Sequence, residues 1–242
     1  MPERDGYIPG VPCWVDASEP DPEAALDFYA GLFNWDFEDA TPPDAGRKYF
    51  VARAEATGWS LFDSSGDVRS GDVAALGSMP EAAPQTAVWN TYFWVESADE
   101  TASTVRDAGG SVVMEPFDFM DASRVAVFTD PEGATFSVWE AKKHKGARLV
   151  NDPGSLNFNG LNTRDVEGAR SFYGSVFGWQ TLTRSPGPRC GRCPATATTS
   201  SATTRTSASK WRRRAPRSGS RTSSRHSIPS RRTSLTRRHI GA

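Results

Sequence analysis

The first clear periodic pattern of apolar and polar positions lies in residues 21–35, which read DPEAALDFYAGLFNW. Asp21 is a favourable N-cap, and Pro22 suits the first position of a helix. The apolar positions that follow have the i, i+3, i+4, i+7, i+8 spacing of one helical face. We therefore predict a helix that buries one face, made of Ala25, Phe28, Tyr29, Leu32 and Phe33.

Short runs with the composition of strands surround this helix. Residues 12–18 precede it, and residues 48–54 and 58–63 follow it. The stretch 64–87 is rich in Ala, Pro and Gly and is predicted to be a loop. The pattern thus begins as strand, helix and further strands.

The same order recurs between residues 90 and 140. Residues 90–96 predict a strand, after which Ser97 and Glu100 form a capping box that opens a second helix. Gly109-Gly110 ends this helix. Three more strands follow, at 111–116, 124–129 and 134–140. Residues 8–141 are therefore predicted to form an α+β domain that contains the βαβββ unit twice.

A second copy of the first helix lies 144 residues further on. Residues 165–179 read DVEGARSFYGSVFGW and match residues 21–35 at seven of fifteen positions, which indicates a duplicated module. We read 142–156 as a linker and 157–184 as the truncated start of a second module. The apolar side chains of that start must pack on the first module, pair with a second copy of the chain or stay exposed.

The composition changes after residue 184. From Ser185 to Ala242, 52 of 58 residues are Ser, Thr, Ala, Arg, Pro, Gly, Cys or Trp, whose codons have G or C at the second base. A shift of reading frame in a GC-rich gene produces this set. We predict a disordered tail at 185–242 that is a frameshift product, because it has too few apolar residues to offset the entropy of ordering.

The charges are also segregated. All 29 acidic residues lie at or before Glu167, whereas residues 168–242 carry 16 Lys and Arg. The alternative interpretation of the tail is therefore a basic arm for nucleic acid, densest at Arg212-Arg213-Arg214. Only Trp211 adds an aromatic ring to that cluster, so we expect no nucleic-acid partner.

The remaining composition indicates a cytoplasmic protein. Three cysteines, Cys13, Cys190 and Cys193, are too few for a disulfide scaffold in 242 residues. The first residues, MPERDGYIPG, lack the pattern of a secretory signal, and no apolar run is long enough to span a membrane. We therefore expect no membrane partner.

Together these motifs resemble the vicinal oxygen chelate superfamily, which includes glyoxalase I, bleomycin-resistance proteins and extradiol dioxygenases. The resemblance covers the strand and Asp-Pro-Glu helix with Phe28-Tyr29, the helix that ends at Gly109-Gly110, and the hairpin Phe128–Gly133. It is greatest to bacterial two-module proteins that are loosely labelled glyoxalase-like or hydroxylase. The resemblance implies a curved mixed sheet, built from paired βαβββ units, whose concave face holds a small ligand.

Members of this superfamily that are enzymes hold a divalent metal through two His and a Glu. The corresponding positions here are Trp14, Asn90 and Ser137, none of which offers an imidazole or a carboxylate. Two of the three histidines lie in the tail, and His144 lies in the predicted linker, which leaves no histidine for the concave face. We therefore predict no metal and no cofactor.

Strand alternation indicates which side chains line the concave face. If Trp14, Asn90 and Ser137 point inward, the face is an aromatic pocket with a few polar groups, suited to a planar or apolar small molecule. Asp16 is its carboxylate and is a candidate general base if burial raises its pKa. The alternative is that these aromatic side chains only pack the sheet. The predicted ligand pocket comprises Trp14, Asp16, Asn90, Tyr92, Trp94, Ser137 and Trp139.

Three functions are compatible with this sequence. The first is binding of a small molecule without a metal, and the second is a lyase- or oxygenase-like enzyme with a non-standard metal site. The third is an interaction or nucleic-acid protein that acts through its basic tail. The missing histidines favour the first over the second, and the codon-like composition of the tail argues against the third. As partners we expect a small-molecule ligand and, as one outcome for the truncated module, a homodimer.

Overall fold

The computed structural model describes residues 6–43, 46–56, 70–80, 85–182 and 203–204. Every helix and strand named below belongs to one unit, Met1–Ser207. The strand predicted at 58–63 lies outside the described residues. So does the predicted disordered tail, 185–242, apart from two residues, Thr203–Thr204.

Ten elements follow one another from the first strand to residue 141. They are β1 (Pro12–Glu19), α1 (Pro22–Phe33), β2 (Asp36–Asp39), β3 (Tyr49–Glu55), β4 (Ser70–Ser78), β5 (Val88–Val95), α2 (Ala98–Asp107), β6 (Ser111–Phe119), β7 (Ser123–Thr129) and β8 (Thr135–Ala141). Helix α3 (Val166–Phe177) and the short strands β9 (Thr181–Leu182) and β10 (Thr203–Thr204) come after them. The order βαβββ occurs twice, which confirms the predicted α+β fold class.

The eight long strands form a single mixed sheet in the order β2-β3-β4-β1-β5-β8-β7-β6. Within each unit the first and last strands are parallel neighbours, β1 with β4 and β5 with β8. The two units join through the antiparallel pair β1–β5, in which Asp16 lies opposite Asn90. This central join brings the side chains of both units to the middle of one sheet face.

The helix ends follow the predicted capping residues. The Asp21 carboxylate accepts a hydrogen bond from the Ala24 amide at 3.0 Å, and Ser97 Oγ accepts one from the Glu100 amide at 3.2 Å. After α2, Gly109 adopts a φ of +89°, a conformation that glycine adopts without strain. The capping chemistry therefore predicted both helices correctly.

The predicted buried face of α1 is wrong at three of its five positions. Ala25 is buried, but Phe28, Leu32 and Phe33 are exposed. Helical spacing identifies the side chains that share a face, but it does not show whether another element covers them. Helix α3, whose sequence matches that of α1, packs beside α2 on the sheet and buries its aromatic side chains.

The loop predicted at 64–87 is also wrong, since it contains β4. This strand is central and is buried on both faces, with Val73, Ala74, Ala75 and Leu76 almost fully enclosed. Small residues fit there because α1 covers one face and Trp14 lies in the cluster on the other. Ala and Gly have low strand propensity, so the composition looks like a loop. The edge strand β2 was not predicted either, because its Asp and Glu residues also have low strand propensity.

The predicted linker, 142–156, lies against the first module. Ala147 and Leu149 are buried, and the Ala147 amide donates to the Cys13 carbonyl at 2.8 Å. Residues 157–163, which begin the second module, join no sheet. Of that module, the described residues contain α3 and the two-residue strand β9.

Candidate functional site

Asp16 in β1 is the centre of a hydrogen-bonded cluster on the face of the sheet opposite the helices. Asn90 Nδ2 donates to Asp16 Oδ1 at 2.8 Å, and the Tyr92 hydroxyl donates to Asp16 Oδ2 at 2.9 Å. The β1–β5 register causes this arrangement by placing Asn90 directly opposite Asp16. Asp16 is only 7% exposed, so its carboxylate depends on these protein donors rather than on water.

Tyr49 in β3 is a member of the same cluster that the sequence analysis did not identify. The Trp14 indole N–H donates to the Tyr49 hydroxyl at 3.3 Å, and that hydroxyl is close enough to Asp16 to influence its pKa. The signal was present in the sequence, because Tyr49 and Val51 alternate along a predicted strand. What the sequence lacked was the strand order that brings β3 to this face.

The environment of Asp16 changes its acidity. Burial raises the pKa of its carboxyl group from 3.8 to about 6, although the hydrogen bonds from Asn90 and Tyr92 and the nearby Tyr49 hydroxyl act in the opposite direction. Burial and then the negative charge of Asp16 raise the pKa of both tyrosine hydroxyls well above 10. Both tyrosines therefore remain neutral beside a carboxyl group whose pKa burial raises to about 6.

Aromatic rings surround this cluster. The ring of Trp139 lies 6.1 Å from the ring of Trp14 and 5.6 Å, edge to face, from that of Tyr92. Ser137 is buried and is the β8 neighbour of Tyr92. Of the seven predicted site residues, five thus lie around Asp16, and Trp94 packs further along β5 against Tyr7 in the same apolar cluster.

His144 also lies at this face, and the expectation that no histidine reaches it is wrong. Its ring is 4.6 Å from the ring of Trp14 and 5.4 Å from that of Trp139. The Trp139 indole N–H donates to the His144 carbonyl at 3.1 Å, and His144 Nε2 is 3.5 Å from Asp72 Oδ2. The cause is the path of residues 142–150, which turn back along β1 instead of leaving the domain.

The side chains at the three metal positions of the family do not fit a divalent metal. Trp14 has no lone pair to offer, and its N–H is committed to Tyr49. The Asn90 amide nitrogen faces Asp16 and Ser18 Oγ, and Ser137 is a weak neutral ligand. In the part of the chain that the structure describes, no group of three or more His, Cys, Asp or Glu could hold a metal ion.

A separate cavity of about 320 Å³ lies on the other face of the sheet. Thr91, Phe93 and Phe136 line its sheet side, and Phe158 and Tyr173 line the side formed by the second module. These strand residues alternate with the ones around Asp16, so the cavity does not communicate with that cluster through the sheet.

Among the described helices, none is long and apolar enough to cross a membrane.

The chain is similar to named relatives in sequence, and it also matches solved structures. A Mycobacterium tuberculosis protein with the provisional name of glyoxylase is 38% identical over 180 residues, which are 74% of this chain and 64% of that protein. An anthracycline biosynthesis protein of Streptomyces peucetius is 34% identical over 181 residues, which are 71% of this chain and 62% of that protein. The chain thus spans just under two thirds of the length of these relatives.

Among solved structures, the chain resembles the Mn(II)-bound glyoxalase from Novosphingobium aromaticivorans, with a TM-score of 0.46 and 19% identity over 72% of this chain and 55% of that one. It also resembles Streptomyces coelicolor methylmalonyl-CoA epimerase, with a TM-score of 0.39 and 16% identity over 55% of this chain and 97% of that one. The family model described as Glyoxalase/Bleomycin resistance protein/Dioxygenase superfamily matches residues 14–138, more than half of the chain. The two βαβββ units, their mixed sheet and this match agree, and the chain belongs to the glyoxalase/bleomycin resistance protein/dioxygenase superfamily.

Proposed function

We propose that this chain binds a small planar molecule on the concave face of its sheet, without a metal ion. The observation that carries the proposal is a buried carboxylate, Asp16, held by neutral donors inside a ring of aromatic side chains. Aromatic rings favour flat ligands through stacking and edge contacts. A few directed polar groups in an apolar surrounding are typical of small-molecule sites.

The hydrogen bonds of Asp16 indicate which group of the ligand it would bind. An ionised carboxylate has about four acceptor positions, and Asn90 and Tyr92 donate to two of them. A donor on the ligand, such as a phenolic hydroxyl, would bond to a remaining position. A hydrogen bond from that donor to the charged carboxylate contributes more binding free energy than a bond between neutral groups.

The name of one relative supports the same ligand class. The Streptomyces peucetius protein is named for anthracycline biosynthesis, and anthracyclines are flat fused-ring molecules that carry phenolic hydroxyls. A hydroxylated polycyclic aromatic compound would satisfy both the aromatic rings and a remaining acceptor position of Asp16. We take this as the ligand class for the proposal.

Proton transfer on the bound molecule is the second candidate function. The pKa of Asp16, about 6, is close to the operating pH, where a general base is most effective. In that case Asp16 would accept a proton from the ligand, and the neighbouring tyrosine hydroxyls would stabilise the negative charge left on it. This activity would make the chain a lyase- or isomerase-like enzyme.

A titration with 1,8-dihydroxyanthraquinone tests the binding proposal, with quenching of tryptophan emission as the signal. We expect saturable quenching, and we expect Asp16→Asn to weaken binding about tenfold because a charged acceptor is lost. The dimethyl ether of the same compound should bind wild type weakly and respond little to the substitution. Asp118→Asn, at an exposed carboxylate held by Lys142 and Arg124, is the matched control.

The outcomes separate the two candidates. Absence of saturable quenching by 1,8-dihydroxyanthraquinone contradicts the binding proposal, and so does equal binding of this compound by wild type and Asp16→Asn. If bound 1,8-dihydroxyanthrone, whose ring CH₂ is acidic, exchanges that carbon-bound hydrogen with deuterium faster than in buffer, and Asp16→Asn stops the acceleration, the chain is an enzyme. Binding without such exchange leaves the chain a binding protein.

A further inference from the structure

The cavity on the helix side of the sheet is separate from the Asp16 cluster and takes no part in the proposed function. It has a volume of about 320 Å³ and lies between strands of the first module and the described part of the second module. An apolar cavity of about 150 Å³ is large enough to hold one benzene ring. The cavity therefore has room for a ligand of about two fused rings.

Aromatic rings form the inner wall of this cavity. The Phe93 ring lies 6.1 Å from that of Phe136 and 5.4 Å, edge to face, from that of Trp179. Tyr173 completes the wall, since its ring is 5.7 Å from that of Phe136 and stacks on that of Trp179 at 5.3 Å. Rings that contact one another in this way form a rigid, apolar surface. Such a surface favours an aromatic ligand over water.

Residues 158–163 form the outer wall, and side-chain hydrogen bonds hold this segment at two points. The Thr91 hydroxyl of β5 donates to Asn159 Oδ1 at 3.2 Å, and the Thr163 hydroxyl donates to Glu132 in the turn between β7 and β8. Between these points the segment pairs with no strand. It therefore crosses the sheet without lying in it, which leaves the space beneath it unfilled.

Three large apolar side chains that line the cavity are exposed to solvent. They are Phe158, Leu161 and Val166. Their exposure shows that the cavity is open on this side, so a ligand can enter without a change of fold. A bound aromatic ligand would remove part of their apolar surface from water, which favours binding.

One face of α3 brings a positive charge to the cavity. Val166, Ala169, Arg170 and Tyr173 line it with the spacing i, i+3, i+4 and i+7. Among the lining residues that the structure describes, Arg170 alone is charged. The equivalent position of α1 holds Leu26, so a helix of this motif does not require a cation there. The charge is therefore a property of the cavity rather than of the helix.

The Arg170 guanidinium is able to bind a ligand. Its Nη1 donates to Glu167 at 2.9 Å, but the Glu167 side chain is 81% exposed, and an exposed pair of this kind contributes little. A guanidinium has five N–H donors and binds a carboxylate through two of them. Arg170 can therefore bind a carboxylate and keep its hydrogen bond to Glu167.

We propose that this cavity binds a small aromatic carboxylate of about two rings. The rings of the ligand lie against Phe93, Phe136 and Trp179, and its carboxylate binds Arg170. A monoanion matches this one cation, whereas a phosphate dianion would bring an unbalanced charge close to Glu167. The site is distinct from the Asp16 cluster, where a second carboxylate would repel the ligand.

Isothermal titration calorimetry of the full chain with 2-naphthoate tests the proposal, at about pH 7.5, where the ligand is ionised. We expect one site with a dissociation constant in the micromolar range. Arg170→Gln should weaken binding about tenfold because a charge-assisted bidentate contact is lost. Arg106→Gln, at an exposed arginine that pairs with Glu115 on the neighbouring helix, is the matched control and should change nothing. The uncharged 2-naphthylmethanol should bind weakly and equally to all three proteins.

A second variant tests whether the ligand lies inside the cavity. Val166→Trp fills the open side with a larger ring and should weaken binding of 2-naphthoate at least tenfold, because the ligand and the indole compete for the same space. The substitution is at an exposed position, so the Tm should change little. Val113→Trp, at an exposed valine of β6 outside the cavity, should leave binding unchanged.

The results distinguish this site from other modes of binding. Absence of binding at about 1 mM 2-naphthoate overturns the proposal, and a cavity already filled by another segment or by a second copy would give this result. Equal weakening by Arg170→Gln and Arg106→Gln overturns it as well, and so does unchanged binding by Val166→Trp. If Asp16→Asn strengthens binding, the ligand is at the Asp16 cluster and the proposal is wrong. Unchanged binding by Asp16→Asn, together with loss in Arg170→Gln and Val166→Trp, supports it.

Discussion

Asp16→Asn should make the folded chain more stable at neutral pH. In the folded state burial raises the pKa of Asp16 to about 6, whereas in the unfolded chain the group titrates near its ordinary value of 3.8. At 1.36 kcal/mol per pKa unit, keeping this carboxylate ionised in the fold costs about 3 kcal/mol. Asparagine has nearly the same shape and carries no charge, so the substitution removes this cost.

The sign of the pH dependence follows from linkage. Below pH 3.8 Asp16 is protonated in both states, and the wild-type chain has the full stability of the neutral form. Between about pH 4 and pH 6 the unfolded state ionises while the folded state keeps its proton, so stability falls as pH rises. In urea unfolding, we compare the free energy of unfolding of Asp16→Asn with that of wild type. The variant minus wild-type difference should be about 3 kcal/mol larger at pH 7 than at pH 4.

Asp118→Asn is the control with the opposite sign. Hydrogen bonds from Lys142 and then Arg124 lower the pKa of Asp118, so this carboxylate should stabilise the fold above its ordinary pKa. That variant should lose stability at pH 7 relative to pH 4. The reasoning about Asp16 is refuted if Asp16→Asn is destabilised equally at both pH values, or more at pH 7. Such a result would show that the hydrogen bonds of the carboxylate outweigh its desolvation.

Four further outcomes follow from the structure and the sequence. Trp14→Ala should weaken binding of a planar aromatic ligand by more than about 1 kcal/mol, measured by fluorescence titration, and unchanged affinity would show that Trp14 is outside the site. Phe172→Ala should cost about 3–5 kcal/mol in urea unfolding of the monomer, whereas Phe28→Ala should cost less than about 0.5; equal costs would contradict the burial contrast. Elemental analysis should find no stoichiometric divalent metal, because the three family positions lack imidazole and carboxylate; a metal lost on mutating any of them would disprove this. Limited trypsin digestion should begin after Arg184 and leave a fragment ending between about residues 150 and 185, and a resistant tail would rule out its predicted disorder.

The fold could be predicted where local chemistry determines an element. Helix α2 was predicted from Ser97 and Glu100 at its start and Gly109-Gly110 at its end, because capping acts within a few residues. Strand β4 could not be predicted, since it forms from Ala and Gly between layers that come from elsewhere in the chain. Its stability depends on burial from both sides rather than on its own propensity.

In the candidate site too, local patterns predicted some residues, whereas contacts between distant segments placed the others. Alternation along β1 and β5 correctly grouped Asp16, Asn90 and Tyr92, because neighbouring side chains of one strand have fixed directions. Tyr49 and His144 reach the site through the strand order and through the return of residues 142–150 along β1. Neither cause is visible in a single sequence, since both depend on contacts between distant segments.

The position of β1 in the sheet has a consequence for synthesis of the chain on the ribosome. This strand is made first, yet its two sheet neighbours are β4 and β5, which end at residues 78 and 95. Until both have left the ribosome, β1 is an apolar strand with two unpaired edges, and it carries Cys13 and Trp14. Non-local pairing of this kind is slow and leaves such edges open to aggregation. A nascent chain that stops before residue 95 should therefore need a chaperone, whereas release after residue 141 should allow the sheet to close.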